Sequence, residues 1–475
     1  MRTETEGKKM LIAGRWKGSE QTIDVRDPED NSLIDTIPAA TASDVNEAIE
    51  QGKLAMESRL PVHKRIDILT TAANNVRTRK ETFATIIAKE GSKTITEARD
   101  EVDRTIEILR ISAEEARRIQ GETISFDQVP GSENRVGYYT HFPVGVVGAI
   151  TAFNDPLNLV AHKVGPALAG GNAVVVKPTS LTPLSALYLA EALADAGLPS
   201  GLLSVVTGKG SELGDPLVQH PDVRMVSFTG GLETGEEVAG KSGVKTLRME
   251  LGSNSAVIVL NDADIERAVE NAVSGAFAAA GQNCIGVQRV LIEKDVVDTF
   301  AEQFVHQTGQ LKMGKKLSED TDMGSMISEK EAKRIEQWVN EAVEEGAEIL
   351  IGGERQGAYY QPTVLTNVPI HCKIAREEAF APVVSLFAIE SLQEGIEQAN
   401  AVNYGLQAGI FTRTINHAYE AIEKLEVGGV MVNDSSDYRV DAMPFGGVKG
   451  SGIGREGIKF AIEAMTEKKV VCFNL

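Results

Sequence analysis

The sequence predicts an α/β protein with a doubly wound parallel sheet, a second α/β unit and a small β element. Its 475 residues exceed what one hydrophobic core usually serves, so two or more domains are expected. From Val144 onward, apolar runs alternate with helical patterns, which indicates parallel strands covered by helices on both faces. Small, β-prone and polar residues around Pro130 and Gly131 predict a projecting hairpin.

The first half of the chain supplies the doubly wound sheet. The pattern over 43–120 predicts helices, the first capped by Ser43 and Asp44, and the hairpin covers 121–142. Sheets of this kind bind ligands beyond the carboxyl ends of their strands. The predicted series is strand Val144–Ala152, helix Leu157–Ala169, strand Ala173–Lys177, helix Pro183–Ala196, strand Leu203–Val206, helix Ser211–Gln219, strand Met225–Thr229, helix Thr234–Ser242 and strand Thr246–Glu250.

A second α/β series starts at strand Ala256–Leu260 and continues to about Val432. A glycine-rich loop over 444–457 follows, then a helix to about Met465 and a final strand, Lys469–Phe473. The clearest elements of the series are helix Val269–Ala280, strand Val287–Glu293, helix Val296–Leu311, helix Glu329–Glu345, strand Leu406–Thr412 and helix His417–Leu425.

Composition excludes several classes of protein. A net charge of −20 disfavours partners such as nucleic acid and anionic membranes. The charged segment Met1–Lys9 lacks the apolar core of a secretory signal, and no apolar run approaches the ~18 residues of a membrane span. Three widely spaced cysteines do not form a disulfide framework. We therefore expect a cytoplasmic protein with no nucleic-acid or membrane partner.

Three residues could carry covalent chemistry on a carbonyl group. Cys284 follows the polar run Gly-Gln-Asn, Glu250 ends a predicted strand, and Asn154 follows another. A thiol nucleophile, a carboxylate base and an amide donor suffice for such catalysis. Each residue also has a structural interpretation, as a buried cysteine, a strand-end carboxylate or a turn former before Pro156. It is much less plausible that all three residues have only a structural role.

Two features favour a phosphate-bearing ligand. Thr229, Gly230 and Gly235 lie where a strand meets a helix, and glycines there let a phosphate approach backbone N–H groups. The spacing is not the dinucleotide fingerprint, so this motif alone is weak. Lys177 ends another strand of the same sheet and could bind a ribose or phosphate, although a surface lysine is the commoner interpretation.

A set of motifs in one order resembles the NAD(P)-dependent aldehyde dehydrogenase superfamily, from about residue 10 to the C-terminus. The order and number of these motifs make the resemblance very specific. The matching segments are Phe153–Pro156, Lys177-Pro178, Phe228–Gly231, Glu250–Gly252, Gly281–Cys284, Glu377–Val383, Asn403–Leu406 and Pro444–Gly447.

The resemblance implies a role for each matched residue. Cys284 would attack the aldehyde, Asn154 would hold the oxyanion, and a hydride would pass to the nicotinamide to leave a thioester. Glu250 would then activate the water that releases the acid. The cofactor-binding residues that the resemblance implies are Thr151, Lys177, Ser180, Gly208, Thr229, Gly230, Gly235, Leu251, Glu378 and Phe380.

The resemblance also implies the domain organisation. Residues 1–120 and 142–252 would form the NAD(P)-binding domain, and residues 253–432 the catalytic domain. Residues 121–141 and 453–475 would form an oligomerisation element, so a homodimer or homotetramer is expected.

Ser180 departs from many NAD-preferring relatives, which carry glutamate at this position. A carboxylate there repels a 2′-phosphate, and serine removes that repulsion. The sequence therefore predicts that NADP is accepted as well as NAD, and leaves open which cofactor is preferred.

Other departures are similar to relatives that act on small polar or anionic aldehydes. They are Asp155 after Asn154, Ser253 after the Glu-Leu-Gly run, and the stretch 433–439. Such substrates are lactaldehyde, glyceraldehyde 3-phosphate, phosphonoacetaldehyde and sulfolactaldehyde. The predicted substrate contacts are His162, Arg439 and Phe445.

Arg439 is the predicted anchor for an anionic group, because a guanidinium fork matches carboxylate, phosphate or sulfonate oxygens. The alternative is a structural ion pair with Asp437 or Asp441. His162 occupies a helical position that is usually arginine in dedicated succinate-semialdehyde enzymes, which weakens that assignment.

Other functions stay open on the sequence. A CoA-acylating enzyme typically lacks the base that Glu250 supplies. A cofactor-independent cysteine hydrolase needs a histidine partner for Cys284, and none of the seven histidines lies in a suggestive motif. A catalytically silent relative is disfavoured because Cys284, Glu250 and Asn154 are all present. No metal ligands are assigned from the sequence.

Overall fold

The structure, a computed structural model, describes residues 7–475. The first six residues of the charged N-terminal segment lie outside the described residues.

The ligand-binding edge that the sequence predicts lies mostly on the first large sheet. Within residues 7–475, its central strands from Leu203–Val205 to Thr246–Glu250 run parallel, and the outer pairs are antiparallel. Lys177, Thr229 and Glu250 each end a parallel strand, so they share one edge. Eight strands of the described chain form it, in the order Arg15–Lys17, Met10–Ile12, Leu203–Val205, Ala173–Lys177, Val146–Ile150, Val223–Thr229, Thr246–Glu250 and Gly452–Ile453.

The first sheet is accompanied by the helices of the N-terminal half. The helix Asn158–Gly170 is buried along its whole length. The helices are Ala42–Ala55, Val62–Thr78, Lys80–Glu90, Ile95–Ala116, Asn158–Gly170, Leu184–Asp195, Gly210–Gln219 and Leu232–Lys241.

Several predicted boundaries were wrong by a few residues. Thr41, rather than Ser43, caps the first helix, because its hydroxyl accepts from the Asp44 N–H while the Asp44 carboxylate accepts from the Thr41 N–H. The helix predicted from Thr234 begins at Leu232, with Gly231 as its cap. Such shifts are expected, since caps depend on local hydrogen bonds more than on periodicity.

The second large sheet forms the core of the C-terminal half. Over residues 7–475 it has seven strands, and six are parallel while Glu348–Ile351 is antiparallel. The order is Glu348–Ile351, Thr363–Thr366, Val383–Ile389, Val287–Glu293, Ser255–Val259, Gln407–Phe411 and Gly429–Val432. The helices of this half are Ile265–Phe277, Val297–Thr308, Glu329–Glu344, Lys373–Arg376, Leu392–Asn400, Ile415–Lys424 and Ile458–Ala464.

The helix before Cys284 ends earlier than the predicted Val269–Ala280. It spans Ile265–Phe277 and gives way to a short turn in which Ala279 and Ala280 have φ values of 50° and 54°. Left-handed alanine costs about 1–2 kcal/mol per residue, so an alanine run does not signal such a turn. The Glu97 carboxylate accepts from the Ala279 N–H at 2.7 Å and helps to hold it. This turn sets the direction from which the chain enters Cys284.

The predicted hairpin and the C-terminal strand come together in a third sheet. Its strands are Glu122–Ser125, Arg135–Pro143 and Thr466–Asn474, all antiparallel. By contrast, Gly452–Ile453 joins the edge of the first sheet beside Met249 and Glu250. Two further hairpins pair Thr22–Arg26 with Leu33–Pro38 and Arg355–Gln356 with Tyr359–Tyr360.

The predicted fold class, two parallel-sheet α/β units with a small β element, is confirmed. Among the described residues, no helix combines the length and the apolar character needed to cross a membrane.

Candidate active site

Cys284 lies in an apolar pocket behind the left-handed turn. Ile285, Leu406 and Phe445 are buried around it, and Met443 packs against the same cluster. Burial raises the pKa of the Cys284 thiol to about 12, and Arg439 opposes part of this rise. The resting thiol is therefore neutral, and its reactivity depends on whatever stabilises the thiolate.

Glu250 is buried at the end of its strand. Burial raises the pKa of its carboxyl well above the usual range, and the nearby Glu456 charge raises it further. Its Oε2 atom has no hydrogen-bond partner among the described residues. A carboxyl with a raised pKa and a free oxygen is suited to exchange a proton with a water or a thiol.

Asn154 is also buried, and its amide is only weakly engaged. Within the described chain its side chain makes one long hydrogen bond, from Nδ2 to Asp155 Oδ2 at 3.4 Å. The amide N–H groups are therefore available to a negatively charged oxygen.

Asp155 belongs to a buried ion-pair network that the sequence did not predict. It contacts the Lys93 Nζ, which also lies 2.8 Å from Glu101 Oε2. On its other side, Arg104 Nη1 lies 3.8 Å from Asp155 Oδ1. Although burial acts in the opposite direction, the charges of Lys93 and Arg104 hold the pKa of Asp155 below its usual value.

The network continues through Asp441 to His162. Arg104 Nη2 lies 2.9 Å from Asp441 Oδ1, and His162 Nε2 lies 2.9 Å from the same oxygen. Burial, and then the Arg439 charge, lower the pKa of His162. Because the Asp441 carboxylate can only accept, the proton on His162 Nε2 donates to it.

Arg439 ends the network beside Cys284. Its side chain is 9% exposed and its guanidinium lies over the Phe445 ring at 3.7 Å. Its Nη2 lies 3.2 Å from His162 Nε2 and 3.5 Å from Glu456 Oε2. The Nε has no hydrogen-bond partner in residues 7–475.

The predicted alternative for Arg439 is not what the structure shows. Asp441 pairs with Arg104 and His162, and Asp437 accepts from the Ser435 hydroxyl. Glu456 is the carboxylate nearest to Arg439 instead, and Lys163 pairs with it at 3.2 Å. Burial acts to raise the pKa of Glu456, but the Lys163 charge outweighs it and lowers this pKa to about 2.

The sequence missed the network because its members lie far apart along the chain. Arg104 and Asp441, for example, are separated by 337 residues. Asp155, His162 and Arg439 were each singled out in the sequence, but nothing there linked them to Lys93 or Arg104.

The edge of the first sheet provides a cradle for a nucleotide. Lys177 lines a cavity of about 450 Å³ with Ser211 and Lys241, and burial lowers the Lys177 pKa to about 8. The Thr229 Oγ1 is buried without a partner among the described residues, as a donor awaiting a ligand would be. These features fit a nucleotide cofactor at this edge.

Glycines are required on the same edge by close packing. A Cβ on Gly235 would lie 2.5 Å from Leu251 Cδ2, and a Cβ on Gly230 would lie 2.6 Å from the Phe228 ring. Gly208 has a φ of 156° and would meet Leu213. The backbone here can therefore approach a phosphate where a side chain would obstruct it.

Glu378 and Phe380 lie in the second α/β unit, beside Ser253 and Phe153. Glu378 Oε1 accepts from the Ser253 N–H at 2.8 Å, and burial raises the Glu378 pKa to about 7. Phe380, with a φ of 45°, contacts the Phe153 ring edge-on at 5.7 Å. Thr151 and Leu251 are buried, and the Thr151 N–H donates to the Lys177 carbonyl at 3.4 Å.

Ser180, another predicted cofactor residue, lies in a different part of the structure. It lines a separate cavity of about 580 Å³ together with Asp27 and Glu29, and not the cavity of Lys177. Its role in choosing between NAD and NADP stays a prediction.

The fold and the site together fit a nucleotide-dependent α/β enzyme. The chain belongs to the aldehyde dehydrogenase family, whose pattern matches residues 16–471. Family membership confirms the predicted class, an NAD(P)-dependent oxidoreductase that acts on aldehydes.

Three similar proteins cover nearly the whole chain. The aspartate-semialdehyde dehydrogenase 1 of Pseudomonas canavaninivorans is 50% identical over 96% of this chain and 97% of its own. The 3-sulfolactaldehyde dehydrogenase of Priestia megaterium is 46% identical, with 98% of each covered. The NADP-dependent glyceraldehyde-3-phosphate dehydrogenase of Bacillus halodurans, solved with NADP, superposes with a TM-score of 0.97 at 38% identity, over 99% of this chain and 100% of that one.

Proposed function

We propose that the protein oxidises a small aldehyde carrying an anionic group to the carboxylic acid, with NAD(P) as electron acceptor. The observation that carries the anionic group is the network that joins Arg104 to Arg439 through Asp441 and His162, because the Arg439 charge acts on Cys284. The three similar proteins bear names of aldehydes with a carboxylate, a sulfonate or a phosphate.

Arg439 has an N–H group without an acceptor, and a substrate anion would provide one. Its Nε–H is buried and has no acceptor in the described chain, which costs about 1–3 kcal/mol of desolvation. Arg104 is the most exposed cation of the network, at 37%, so it can turn towards a ligand. A substrate anion would accept from both guanidinium groups.

Cys284 would act as the nucleophile. The Arg439 charge is the one nearby influence that lowers the pKa of a thiol otherwise raised by burial. The thiol proton passes to solvent as the sulfur attacks the aldehyde carbon, which gives a thiohemiacetal whose oxyanion accepts from the Asn154 amide. The nicotinamide cofactor, when bound, accepts the hydride, and a thioester remains on Cys284.

Glu250 would serve the hydrolysis of that thioester. Burial and the Glu456 charge make its carboxylate, once formed, an unusually strong base. It takes a proton from the attacking water, and the acid leaves with regeneration of the Cys284 thiol. The same carboxyl disfavours a CoA-acylating reaction, because it prepares water for attack.

A hydrolase without a redox cofactor has less support. Among the described residues, no histidine is hydrogen-bonded to Cys284, and the Nε2 of His162 is engaged by Asp441. The nucleotide cradle would also have no use in such an enzyme.

We propose that NADP is accepted as well as NAD. The carboxylates on the wall of the Lys177 cavity, Asp215 and Glu237, both pair with Lys241 at 2.8 and 2.7 Å. Burial is the one influence found on the pKa of Lys177, so no carboxylate acts on its charge. A 2′-phosphate would therefore contact Lys177, whose charge is not neutralised by a carboxylate.

We propose a homo-oligomer in the cytoplasm. Members of this family are generally oligomeric. The strand Thr466–Asn474 lies at the edge of its sheet and exposes Val470 and Phe473, which a second copy could cover. Within the described chain all three cysteines are free, which suits a reducing compartment.

The test compares two substrates that differ only in the anion. Glyceraldehyde 3-phosphate and glyceraldehyde are assayed by the growth of reduced NADP absorbance. Charged hydrogen bonds of about 1.5–3 kcal/mol predict a kcat/KM higher by roughly 10- to 150-fold for the phosphate. Arg104→Ala should remove most of this preference and leave glyceraldehyde oxidation within about threefold, which kcat/KM for both substrates would show. Equal kcat/KM for both aldehydes, repeated with a sulfonate and a carboxylate pair, would overturn the anionic substrate.

A further inference from the structure

A second cluster of reactive side chains lies outside the active site. Glu345 follows the helix Glu329–Glu344, and His371 and Cys372 precede the helix Lys373–Arg376. His371 Nε2 lies 2.5 Å from Glu345 Oε2, and Cys372 Sγ lies 3.5 Å from the same oxygen. The donor atoms of the three residues are all within 4.8 Å of one another.

We propose that Glu345, His371 and Cys372 form a binding site for a divalent transition-metal ion of the zinc type. Thiolate sulfur, imidazole nitrogen and carboxylate oxygen are together the donors that Zn²⁺ takes, whereas Mg²⁺ and Ca²⁺ take oxygen. Three protein donors with a water molecule complete a tetrahedral shell.

The geometry needs only small side-chain adjustments to close around an ion. Zinc bonds of about 2.0–2.3 Å in a tetrahedron place donors roughly 3.3–3.8 Å apart. His371 and Glu345 have side chains that are 67% and 47% exposed, so they can rotate, and solvent reaches the site. Cys372 is buried and forms the fixed inner wall of the site.

The charges around the cluster favour a cation. The carboxylates of Glu345 and Glu341 both act on the Cys372 sulfur, and the Glu345 Oε2 lies 3.5 Å from it. Lys373 pairs with Glu341 at 3.4 Å, while the ion pairs of Glu345 in residues 7–475 involve His371 alone. A bound metal would replace the thiol proton, which passes to solvent, and would offset the negative potential.

The site went unnoticed in the sequence because its ligands come from two segments. Glu345 and His371 are 26 residues apart, and the spacing matches no zinc motif. The fold brings the end of the helix Glu329–Glu344 to the loop before Lys373.

The experiment uses the full chain with the substitution Cys284→Ser, so that the catalytic thiol cannot bind the probe. Zn²⁺ is titrated by calorimetry and by competition with a chromophoric chelator. We expect one equivalent to bind, and Cys372→Ser or His371→Ala to weaken Kd by at least about 10-fold, as even outer partners of metal ligands do. Matched controls are Cys472→Ser and His306→Ala, which should leave the Kd unchanged.

Cobalt provides a second readout that does not depend on affinity. Co²⁺ in the Cys284→Ser protein should show a thiolate-to-cobalt charge-transfer band, and Cys372→Ser should abolish it. Glu345→Gln, at an exposed position that tolerates substitution, should weaken binding without changing the Tm of the metal-free protein. Absence of Zn²⁺ binding, or a charge-transfer band that persists without Cys372, would overturn the proposal.

Discussion

Two cysteines of this chain share one property and differ in their surroundings. Burial raises the pKa of Cys284 to about 12 and that of Cys372 to about 11, so both thiols are neutral at rest. Cys284 lies among apolar side chains with the cation Arg439 acting on it. Cys372 lies against the carboxylate of Glu345 and the imidazole of His371.

The difference shows that neighbouring groups, rather than burial, decide what a protein thiol can do. A nearby guanidinium stabilises the thiolate without binding it, and the sulfur remains free to attack carbon. A carboxylate and an imidazole beside the sulfur provide further metal ligands, so the three groups together are suited to bind a metal ion. Variants that change each cysteine or its neighbouring residues therefore test the comparison.

The largest effect is expected from removing the proposed nucleophile. Cys284→Ser should lower kcat/KM for aldehyde oxidation by at least about 10³-fold, because a serine hydroxyl is a much weaker nucleophile than a cysteine sulfur. The measurement is reduced-cofactor formation in steady state. Cys372→Ser is the matched control and should retain activity within about twofold. Comparable losses in both variants would contradict the separation of the two thiols.

Glu250→Gln should give the next largest effect. The glutamine cannot take a proton from water, so the thioester accumulates and steady-state kcat falls by roughly 10²–10⁴-fold. A first burst of reduced cofactor should survive, which stopped-flow absorbance would reveal. Loss of the burst together with the steady state would place Glu250 before hydride transfer instead.

The sequence predicted these two effects better than it predicted the surroundings of the thiols. Lys177, Thr229 and Glu250 could be placed at one edge because parallel strands end together. The motif order identified Cys284 and Asn154. These inferences depend on local patterns and on a resemblance that spans the chain.

The ion-pair network could not be predicted in the same way. Arg104 lies on a helix that reads as an ordinary amphipathic one, and its partner Asp441 is in a distant loop. The left-handed turn at Ala279 also has no sequence signal, since alanine favours a continued helix. Such features arise from tertiary packing, which single-sequence periodicity does not report.

Arg439→Ala tests the cation that distinguishes the Cys284 pocket. Because Arg439 lowers the pKa of Cys284, its removal should raise that pKa and slow alkylation by iodoacetamide several-fold at any pH below it. The rate of alkylation should rise with pH in both proteins, since the thiolate is the reactive form, with the variant's profile displaced to higher pH.

Arg439→Lys is the control for that displacement. It keeps the charge but loses the stacked guanidinium over Phe445, so most of the shift should disappear. Alkylation of Cys372 in the Cys284→Ser background should not change with either variant. A profile that is identical in Arg439→Ala and the parent would show that Arg439 serves only to hold Glu456.

The last effect concerns the choice of cofactor, where sequence and structure point to different residues. The resemblance assigns it to Ser180, whereas the structure places Lys177 in the cavity and Ser180 beside Asp27 and Glu29. If Lys177 provides the contact, Lys177→Gln should lower kcat/KM for NADP by about 10-fold more than for NAD, because only NADP carries the additional phosphate. Ser180→Glu should then change the NADP to NAD ratio by less than about threefold. A larger loss of NADP use in Ser180→Glu than in Lys177→Gln would return the role to Ser180 and require the two cavities to join when the cofactor binds.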